Sequence, residues 1–537
     1  MQPKNLKRLL RALERQGLDV TYNNRTYSVR LVNSPDAPVA EVLLPEGFPV
    51  EAKALKQLAN LASVRHPSGG CVCRACATPD FHPGDAGVAI GSVVETVGQI
   101  IPGAVGSDIN CGMRLHVVDL TIEEFLAKRD QFVERMKGDY FFGTRDVTMT
   151  ADAMRSLFQY GVPGWLDAML DQPTGSVVKS DLQQLAQESD RIFLGGSMDG
   201  DWKLAPEELV PDAGLVRDGG LATIGGGNHF VEVQRVDKVE NRPLAHAWGV
   251  REGQLAFMIH SGSRNVGKYI GGMWRDKAKA TWQKGLKYPD SQIFPLSTYS
   301  HPELVTSYLQ AEATAANYAF VNRLLLAELL RLRLREVYKD VEAPLVYDLP
   351  HNITLPQLED VETLGTTSLQ SKIQNPFGFG SPPDARSSLP LALTTGTAFA
   401  ERLVEKTGAT SPKSKIEKWV TRKGASPAHV GQPVIIPGSM GAYSYLMVGR
   451  GNPAFCNSAS HGAGRIYSRF DLNRKGASQS QAELGLTGID CITLREERRI
   501  EEAPVAYKPI QSVIDVQVEA EMVDVVARLS PVLTFKA

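Results

Sequence analysis

A carboxylate and a thiol lie three residues apart in the segment 106–114, where Asp108 is followed by Cys111. An oxygen ligand beside a soft sulfur ligand suits a borderline divalent cation such as Mn²⁺ or Zn²⁺. Gly106 and Gly112 flank the pair, and glycine lets the backbone bend closely around a site. A buried cysteine also commonly serves as a small apolar side chain. The pair therefore predicts a metal site only if other ligands converge on it.

Three histidines further along the chain could supply those ligands. His229 follows three consecutive glycines and Asn228, and the backbone amides of the glycines suit a phosphate or a metal ion. His260 ends an apolar strand, and His351 lies in a turn after another apolar segment. Residues at the ends of buried strands often form active sites. The structural alternatives are a tight glycine turn and histidines that bond only to turn carbonyls.

His461 is a fourth histidine of interest, because the small residues beside it leave its ring accessible. A helix beginning near Gly462 would favour an anion beside this ring. Arg465 and Arg469 would then share one helix face, where two guanidinium groups could grip a phosphate. This segment indicates a nucleophilic histidine near bound phosphate. The alternative is a pair of solvated surface arginines.

Three cysteines, Cys71, Cys73 and Cys76, fall within six residues. To bind zinc they would need a fourth ligand, such as His66 or His82. Structural zinc sites usually show a second ligand pair at a fixed spacing, which is not apparent here. We therefore expect a flexible loop with incidental thiols, and zinc binding stays the alternative.

The elements that must position these residues alternate irregularly between helix and strand. Leucines at helical spacing predict a helix over residues 4–17, and alternation predicts a strand over 26–32. An Ala-rich and then Leu/Arg-rich pattern predicts a long helix over residues 303–338. Without regular strand–helix–strand alternation, the predicted fold class is α+β. We expect a small appended N-terminal lobe, residues 1–65, and one large catalytic core of mixed sheets and helices, residues 66–537.

The composition is that of an ordinary globular protein, with 537 residues, 43% hydrophobic and 22% charged. The sequence contains no run of about 18 apolar residues, so it predicts no membrane span. The amphipathic N-terminus and the small number of cysteines favour the cytoplasm. Residues 365–390 are rich in Ser, Pro and Gly and predict an exposed loop.

With a formal net charge of −2, nucleic-acid binding would need a local basic patch. The candidates are Lys413, Lys415, Lys418, Arg422 and Lys423 around Trp419, and separately Arg331, Arg333 and Arg335, although either run could be a solvated face.

The order of these motifs resembles one family, the RtcB-type RNA-splicing ligases. The motifs are P-D-F-H-P-G at 79–84, G-S-D-I-N-C-G-M at 106–113, G-G-G-N-H-F-V-E at 225–232, H-S-G-S-R at 260–264, H-N at 351–352, P-G-S-M-G at 437–441, S-H-G-A-G-R at 460–465, E-A-P-V-A-Y-K at 502–508 and F-K-A at 535–537. So many motifs in one order, over about 85% of the chain, make the resemblance specific. The N-terminal lobe and the cysteine cluster have no counterpart in it.

By position, the resemblance implies a site for two Mn²⁺ ions and a nucleophile, His461, that is guanylylated by GTP. The implied metal ligands are Cys111, bridging both ions, Asp108 and His229 in one sphere, and His260 and His351 in the other. The residues implied to line the guanylate site are Asn228, His229, Phe230, Glu232, His351, Asn352, Pro437, Gly438, Ser439, Met440, Ser444, His461, Gly462, Ala463, Gly464, Tyr507 and Lys536. The residues implied to contact RNA phosphates are Arg264, Arg465 and Arg469.

The resemblance implies an enzyme that joins RNA 3′-phosphate or 2′,3′-cyclic phosphate ends to 5′-hydroxyl ends, in tRNA splicing or RNA repair. The reaction would pass through a guanylyl-histidine intermediate and use GTP and two Mn²⁺ ions as cofactors. Broken RNA is the implied partner, with an archease-like activator as a further one. A metal-dependent phosphodiesterase and a non-catalytic RNA-binding protein are the competing interpretations. The five ligands argue against the latter, and His461, Tyr507 and Lys536 argue against the former.

Overall fold

The computed structural model describes residues 3–357 and 418–537, except residues 46, 49, 477 and 478. The loop predicted over residues 365–390 lies outside the described residues, as do Lys413 and Lys415 of the predicted basic patch. No described helix is long and apolar enough to cross a membrane. Helices and mostly antiparallel strands mix along the chain, which confirms the α+β fold class.

The helices are α1 Pro3–Glu14, α2 Ala52–Ala62, α3 Pro102–Val105, α4 Ile122–Ala127, α5 Arg129–Phe141, α6 Ala151–Asp171, α7 Leu182–Glu188, α8 Arg242–Ala247, α9 Arg264–Ala280, α10 Pro302–Tyr338, α11 Arg469–Gly476, α12 Glu496–Glu501 and α13 Ile510–Glu519. The strands are β1 Leu18–Asn23, β2 Thr26–Leu31, β3 Ala40–Leu43, β4 Cys71–His82, β5 Ile90–Val97, β6 Gln99–Ile100, β7 Gly112–Thr121, β8 Met149–Thr150, β9 Leu215–Val216, β10 Phe230–Val239, β11 Gln254–Ser261, β12 Leu296–Ser297, β13 Leu345–Pro350, β14 Asn352–Pro356, β15 Lys418–Lys423, β16 Ala425–Pro427, β17 Pro433–Ile436, β18 Ser444–Gly449, β19 Ser458–Ser460, β20 Cys491–Ile492 and β21 Val523–Phe535. The helix and strand predicted near the N-terminus are confirmed as α1 and β2.

A seven-stranded sheet contains the N-terminal strands, in the order β1-β2-β3-β4-β5-β15-β14. β3 pairs in parallel with β4, so the sheet continues from the first 65 residues into the rest of the chain. Leu55 of α2 and Val72 and Val94 of the sheet belong to one buried apolar cluster. The domain boundary at residue 65 stays a prediction, and a lobe ending there would share both its sheet and its core with the following residues.

An eight-stranded sheet carries the segments in which we predicted chemistry. Seven strands follow the order β13-β7-β11-β10-β21-β18-β17, and β20 pairs with β21. His260 on β11 lies opposite Met113 of β7 on one side and Phe230 of β10 on the other. Pro350 of β13 lies opposite Gly112 of β7. Because these pairs are antiparallel, the predicted ligand segments adjoin at one end of the sheet.

The long helix α10 packs against β11 and against α5, α6 and α9. It confirms the helix predicted over residues 303–338. Every residue from 311 to 331 is buried, so the middle of the helix is enclosed on all faces. Its alanines let neighbouring elements approach closely, and its buried polar residues therefore contact other elements rather than water.

The arginine run on α10 is not an open basic face. Arg331 is buried between Glu188 and Glu328. The ion pairs of the run are Arg331–Glu188, Arg331–Glu328, Arg333–Asp139, Arg333–Glu336 and the longer Arg335–Glu328. The prediction that this run could bind RNA is wrong, because neighbouring carboxylates already neutralise it.

Three of the four described residues of the other predicted basic patch are enclosed, whereas Lys418, at the start of β15, is half-buried. Trp419, Arg422 and Lys423 are buried on β15. Arg422 Nε donates to Ser458 Oγ at 2.9 Å, and Lys423 Nζ donates to the Val88 carbonyl at 2.9 Å. The prediction of an exposed basic patch is therefore wrong for these residues.

The cysteine cluster lies on β4, so the prediction of a flexible loop is wrong. Cys76 is buried and Cys73 is exposed, since residues an odd number apart on a strand face opposite sides. Cys73 Sγ lies 3.2 Å from Glu95 Oε1. Among the described residues, no group of three metal-ligating side chains includes any of the three cysteines. A zinc site is therefore not supported here.

Candidate metal centre and nucleophile

Five side chains that are distant in sequence converge at the ends of β7, β10, β11 and β13. Cys111 Sγ lies 3.2 Å from Nε2 of both His229 and His260. His229 Nε2 is 2.8 Å from Asp108 Oδ2, and His260 Nε2 is 3.3 Å from His351 Nε2. Cys111 belongs to two clusters, one with Asp108 and His229 and one with His260 and His351. The structure thus brings together all five predicted ligands around a shared sulfur.

Hydrogen bonds outside the centre orient two of these rings. His229 Nδ1 donates to the Ile224 carbonyl at 3.0 Å, and His260 Nδ1 donates to the Asn228 carbonyl at 3.1 Å. With the proton on Nδ1, Nε2 presents its lone pair to the centre, as in metal-binding histidines. His351 Nδ1 is buried without a hydrogen-bond partner among the described residues. Such an orphan nitrogen is costly unless its ring gains another interaction.

Burial controls the protonation of this centre. Burial, together with neighbouring histidines, lowers the pKa of His260 and of His351 well below the ordinary value. Burial and then the Asp108 carboxylate raise the pKa of the Cys111 thiol. Neutral imidazoles are ready ligands, and a bound cation displaces a thiol proton. The mixed O, N and S donors therefore fit a pair of borderline divalent cations.

The buried Arg323 of α10 ties three ligand-bearing segments together. Its Nη1 donates to the carbonyls of Asn110 and Ser261, at 2.6 and 3.2 Å, and these residues adjoin Cys111 and His260. Its Nη2 donates to Asp348 Oδ1 at 2.7 Å, on the strand that leads to His351. Charge-assisted bonds of this kind are strong and directional. Arg323 thus holds the three ligand-bearing segments at fixed distances from one another.

His461 lies beside this centre, directly after β19. Its ring centroid is 4.6 Å from that of His351. Nδ1 donates to Asp80 Oδ2 at 2.6 Å, and the backbone N–H of His461 donates to the same oxygen at 3.2 Å. Thr78 Oγ1 donates to Asp80 Oδ1 at 2.6 Å. Nε2 has no hydrogen bond to any described residue, so it is the ring atom left to react or to bind.

Asp80 is a functional residue that sequence reasoning missed, although it lies in the P-D-F-H-P-G motif. Burial alone would raise its pKa, but the His461 imidazole holds the pKa of Asp80 below the ordinary value. Lys508 Nζ steadies the strand end by donating to the carbonyls of Pro79 and Phe81, at 2.9 and 2.8 Å. A carboxylate that fixes one ring nitrogen leaves the other as base or nucleophile.

A second buried carboxylate, Glu232 on β10, lies among the predicted guanylate residues. Gln234 Nε2 donates to Glu232 Oε1 at 2.7 Å, and Thr534 Oγ1 donates to Oε2 at 2.6 Å. Burial raises the pKa of Glu232 to about 7, against these hydrogen bonds and Lys536, which lower it. Gln234 Nε2 also donates to Ser444 Oγ at 3.0 Å. Glu232 and Ser444, both predicted pocket residues, therefore share one buried polar network.

Three cationic side chains surround the glycine loop before His229. Lys536 Nζ donates to the Gly227 carbonyl at 2.6 Å. A Cβ on Gly227 would lie 3.3 Å from Arg469 Nη2. A Cβ on Gly225 would lie 1.7 Å from Arg264 Nη1, so the Arg264 guanidinium lies directly against the backbone of the loop. Cations grouped around a glycine loop, whose backbone amides can also bind anions, favour an anionic ligand at this loop.

Arg465 and Arg469 meet, but not by sharing a helix. α11 begins only at Arg469, so the prediction of a helix from Gly462 is wrong. Arg465 Nη1 and Arg469 Nε donate to the two carboxylate oxygens of Glu502, at 3.1 and 2.8 Å. The Tyr507 hydroxyl also donates to Glu502, and the Arg465 guanidinium lies 5.0 Å from the Tyr507 ring centroid. Glu502, which sequence reasoning did not assign to the site, positions all three.

The turn after His461 explains why no helix starts there. Gly464 has φ +75°, outside the helical region, and a Cβ on it would lie 2.1 Å from the Asp80 carbonyl oxygen. A Cβ on Gly462 would lie 3.5 Å from the Pro437 carbonyl oxygen. Ala463 is buried between them. The predicted pocket turn of Pro437, Gly438, Ser439 and Met440, which follows β17, thus adjoins the nucleophile segment.

The remaining predicted pocket residues contact the metal centre itself. Asn352 Nδ2 donates to the Asp108 carbonyl at 2.9 Å, so its amide supports a ligand segment. The Phe230 ring meets the His260 ring edge-on, with centroids 5.7 Å apart. The Asn228 carbonyl accepts from His260. Contact of these three residues with a nucleotide stays a prediction.

The family model described as "tRNA-splicing ligase RtcB" matches residues 57–366 and 405–537. The tRNA-splicing ligase RtcB of Thermococcus kodakarensis is 31% identical over 501 residues, covering 89% of this chain and 90% of the relative. The RNA-splicing ligase RtcB of Mycobacterium tuberculosis is 32% identical over 492 residues, covering 88% and 98%. The tRNA-splicing ligase RtcB of Aeropyrum pernix is 29% identical over 518 residues, covering 93% and 95%.

Proposed function

The chain belongs to the tRNA-splicing ligase RtcB family, and we propose on that premise that it seals broken RNA with GTP and two Mn²⁺ ions. RNA ligation is the activity that the family assigns to it. In finer detail, it would join RNA 3′-phosphate or 2′,3′-cyclic phosphate ends to 5′-hydroxyl ends through a guanylyl-histidine, in tRNA splicing or RNA repair. The observation that carries the proposal is the position of the His461 ring, whose Nε2 has no hydrogen-bond partner among the described residues, beside five converging candidate metal ligands.

The five converging side chains would hold the two Mn²⁺ ions. Cys111 would bridge the ions, with Asp108 and His229 serving one and His260 and His351 serving the other. A bound divalent cation supplies Lewis acidity and offsets charge on phosphate oxygens. The histidines that burial keeps neutral, and the hydrogen bonds that turn two Nε2 atoms inward, support this assignment.

His461 would attack the α-phosphorus of GTP through Nε2. A nitrogen–phosphorus bond forms, pyrophosphate leaves, and the ring becomes cationic with its proton on Nδ1. Asp80 accepts a 2.6 Å hydrogen bond from that nitrogen and would offset the new charge. The guanylyl group would then pass to an RNA 3′-phosphate, the 5′-hydroxyl would attack the activated phosphate, and GMP would leave. A cyclic phosphate end would first be opened by water.

Glu232 favours guanine over adenine. Guanine presents N–H donors on its Watson–Crick edge at N1 and N2, whereas N1 of adenine is an acceptor. A carboxylate has about four lone-pair positions, and the bonds from Gln234 and Thr534 occupy two of them. Lys536 and the other predicted pocket residues would surround the nucleotide. Arg264, Arg465 and Arg469 would meet RNA phosphates.

Joining of a synthetic 3′-phosphate RNA to a 5′-hydroxyl RNA tests this function. The purified protein is incubated with both RNAs, GTP and MnCl₂, each omitted in turn, with ATP and MgCl₂ as substitutes. We expect joined product when all four components are present and none when one is missing. A parallel assay replaces the 3′-phosphate RNA with an RNA that ends in a 2′,3′-cyclic phosphate. Opening of that cyclic phosphate without joining would identify a phosphodiesterase, and binding without reaction would identify a non-catalytic RNA-binding protein. An archease-like activator and a cytoplasmic location stay predictions.

Glu232→Gln should weaken GTP binding and remove part of its pH dependence. A pKa of about 7 means that the empty pocket holds a mixture of carboxylic acid and carboxylate at neutral pH. Guanine donors select the carboxylate, so wild-type affinity should rise about tenfold from pH 6 to pH 8. The affinity of the variant should not show this rise. Isothermal titration calorimetry with GTP at each pH measures the affinity of the wild type and that of the variant.

Stability gives an independent readout of the same group. Because the folded protein raises the pKa of Glu232 from 4.5 to about 7, ionisation disfavours the folded state. The wild type should therefore lose stability relative to Glu232→Gln as the pH rises from about 4.5 to about 7, and lose no more above that. Glu252→Gln, which changes an exposed carboxylate, should follow the wild type in both experiments. A Glu232→Gln profile that also follows the wild type would contradict the prediction.

A further inference from the structure

A protein with a formal net charge of −2 needs a local basic surface to hold RNA. The arginine run on α10 does not provide one, because carboxylates neutralise it. Arg422 and Lys423 on β15 do not provide one either, because both are buried. The surface must therefore lie elsewhere on the described chain or on the residues outside it.

Helix α9 and the loop that follows it present a basic edge to solvent. Residues 264–288 contain a single acidic residue, Asp276. The exposed cations of this segment are Lys268, Arg275, Lys277, Lys279, Lys284 and Lys287. Lys268, Arg275 and Lys279 recur at helical spacing, so they follow one face of the helix.

Most of these cations have no acidic partner among the described residues. The exception is Lys287, whose Nζ lies 2.9 Å from Asp290 Oδ1. Lys277 lies over a tryptophan ring at 4.4 Å, and Lys279 lies over the Tyr288 ring at 5.4 Å. Unpaired cations raise the local potential and can release counterions when they meet phosphates. This distinguishes the edge from the neutralised run on α10.

Tyr269 and Gly272 add features that a merely solvated helix face does not need. Tyr269 is 49% exposed beside these cations, and aromatic faces among basic side chains suit stacking of single-stranded bases. Gly272 lies about one turn further along, and a Cβ on it would meet nothing within 4 Å. Glycine weakens a helix relative to alanine, so packing gives no reason for it. Close passage of a nucleic-acid backbone would give one.

α9 leads directly to the metal centre. It begins at Arg264, and the backbone N–H of Ser263 donates to Asp108 Oδ1 at 3.1 Å. Further along, a Cβ on Gly271 would lie 3.2 Å from the Gly106 carbonyl oxygen, so the helix packs on the ligand-bearing segment. The 17 residues of α9 extend about 25 Å from that point. A strand bound along the helix would therefore end at the reacting groups.

We propose that the exposed face of α9, continued to Tyr288, binds single-stranded RNA that leads into the ligation site. Lys268, Arg275, Lys279 and Lys284 meet phosphates, and a base stacks on Tyr269. This inference rests on the proposed ligase function. The contacts available are to phosphates and to one base face, which do not read base edges, so the surface accepts RNA without sequence preference.

The triple variant Lys268→Gln/Lys279→Gln/Lys284→Gln tests the surface. A fluorescent single-stranded RNA with a 3′-phosphate is titrated with the full-length protein at several salt concentrations. We expect binding to weaken about 10- to 100-fold at 0.1 M salt. The negative slope of the log of the association constant against log salt should become shallower by about 2. The matched control, Lys137→Gln/Lys179→Gln/Lys238→Gln, removes the same charge from other elements and should bind as the wild type does.

Two substitutions at Gly272 separate RNA contact from folding. Gly272→Ala and Gly272→Glu both raise helix propensity, so both should match or exceed the thermal midpoint of the wild type. Gly272→Glu places bulk and negative charge in the path of the RNA and should weaken binding about tenfold or more. Gly272→Ala should bind nearly as the wild type. Tyr269→Ala should weaken binding by about fivefold or more.

Self-guanylylation and ligation by the wild type show which proposal fails. Labelling with GTP needs no RNA, so all these variants should retain it. A wild type that neither labels nor ligates would refute the proposed function. If the wild type ligates RNA and both triple variants bind with the same affinity and the same salt slope, the assignment of α9 is refuted. Unchanged RNA binding by Gly272→Glu would refute it equally.

Discussion

His461→Asn is expected to abolish covalent labelling of the protein by radiolabelled GTP while leaving its fold and metal content intact. The imidazole Nε2 is the nucleophile in the proposed reaction, and an amide nitrogen cannot replace it. An asparagine N–H can still donate to Asp80, so the buried carboxylate keeps a partner. The labelling rate should fall by at least about 10⁴-fold. Denaturing gel electrophoresis measures the label. Metal analysis measures the metal content, and thermal unfolding shows whether the fold is intact.

The controls for this prediction use the chemistry of the bond as well as a second histidine. A nitrogen–phosphorus bond to histidine should release its label in acid and keep it in alkali. His246→Asn, which changes an exposed histidine on α8, should label at the wild-type rate. Label that persists in His461→Asn, or that survives acid in the wild type, would exclude His461 as the nucleophile.

The convergence of the five candidate metal ligands could be anticipated from the sequence because each belongs to a local pattern. Asp108 and Cys111 lie between glycines, and His260 ends an apolar strand. Their meeting depends on strand order, since β11 lies between β7 and β10, and β13 flanks β7. No local pattern specifies which strands become neighbours. That knowledge came from the order of motifs along the whole chain.

Two carboxylates of the site could not be predicted in that way. Asp80 lies two residues before the end of β4 in the seven-stranded sheet, and its partner His461 lies 381 positions away. Glu502 joins Arg465 and Arg469, which sequence reasoning had placed on one helix. An acidic residue in a motif has many possible roles. Only the folded chain identifies the group that it contacts.

The basic runs were misjudged for a related reason. The Leu/Arg pattern of α10 looks like a helix with one solvated face, yet the helix is enclosed on all faces near Arg331. Its counter-charges include Glu188, which is 143 positions away. β15 likewise reads as basic, but it lies between β5 and β14 in a sheet. Net charge along a segment therefore says little about exposure when the compensating groups come from elsewhere.

Asp80→Asn should slow transfer of guanylate to His461 by about 10²- to 10⁴-fold without weakening GTP binding. The ring gains positive charge when Nε2 bonds to phosphorus, and a carboxylate at Nδ1 stabilises that charge. A neutral amide cannot do so, and it can turn its NH₂ group toward the ring and select the wrong tautomer. His461, whose Nδ1 lies 2.6 Å from Asp80 Oδ2, holds the pKa of Asp80 below its ordinary value against the effect of burial, so Asp80 meets the ring as a carboxylate.

Single-turnover labelling at saturating GTP isolates this step. Thr78→Val removes the hydrogen bond to Asp80 Oδ1 at nearly constant volume and should slow labelling by no more than about tenfold. Both variants should keep the metal content of the wild type, because Asp80 and Thr78 lie outside the two ligand clusters. A purely structural role for Asp80 would lower the thermal midpoint and raise the apparent Kd for GTP. Loss of rate at unchanged affinity and stability distinguishes a carboxylate that acts through the histidine from one that only supports the fold.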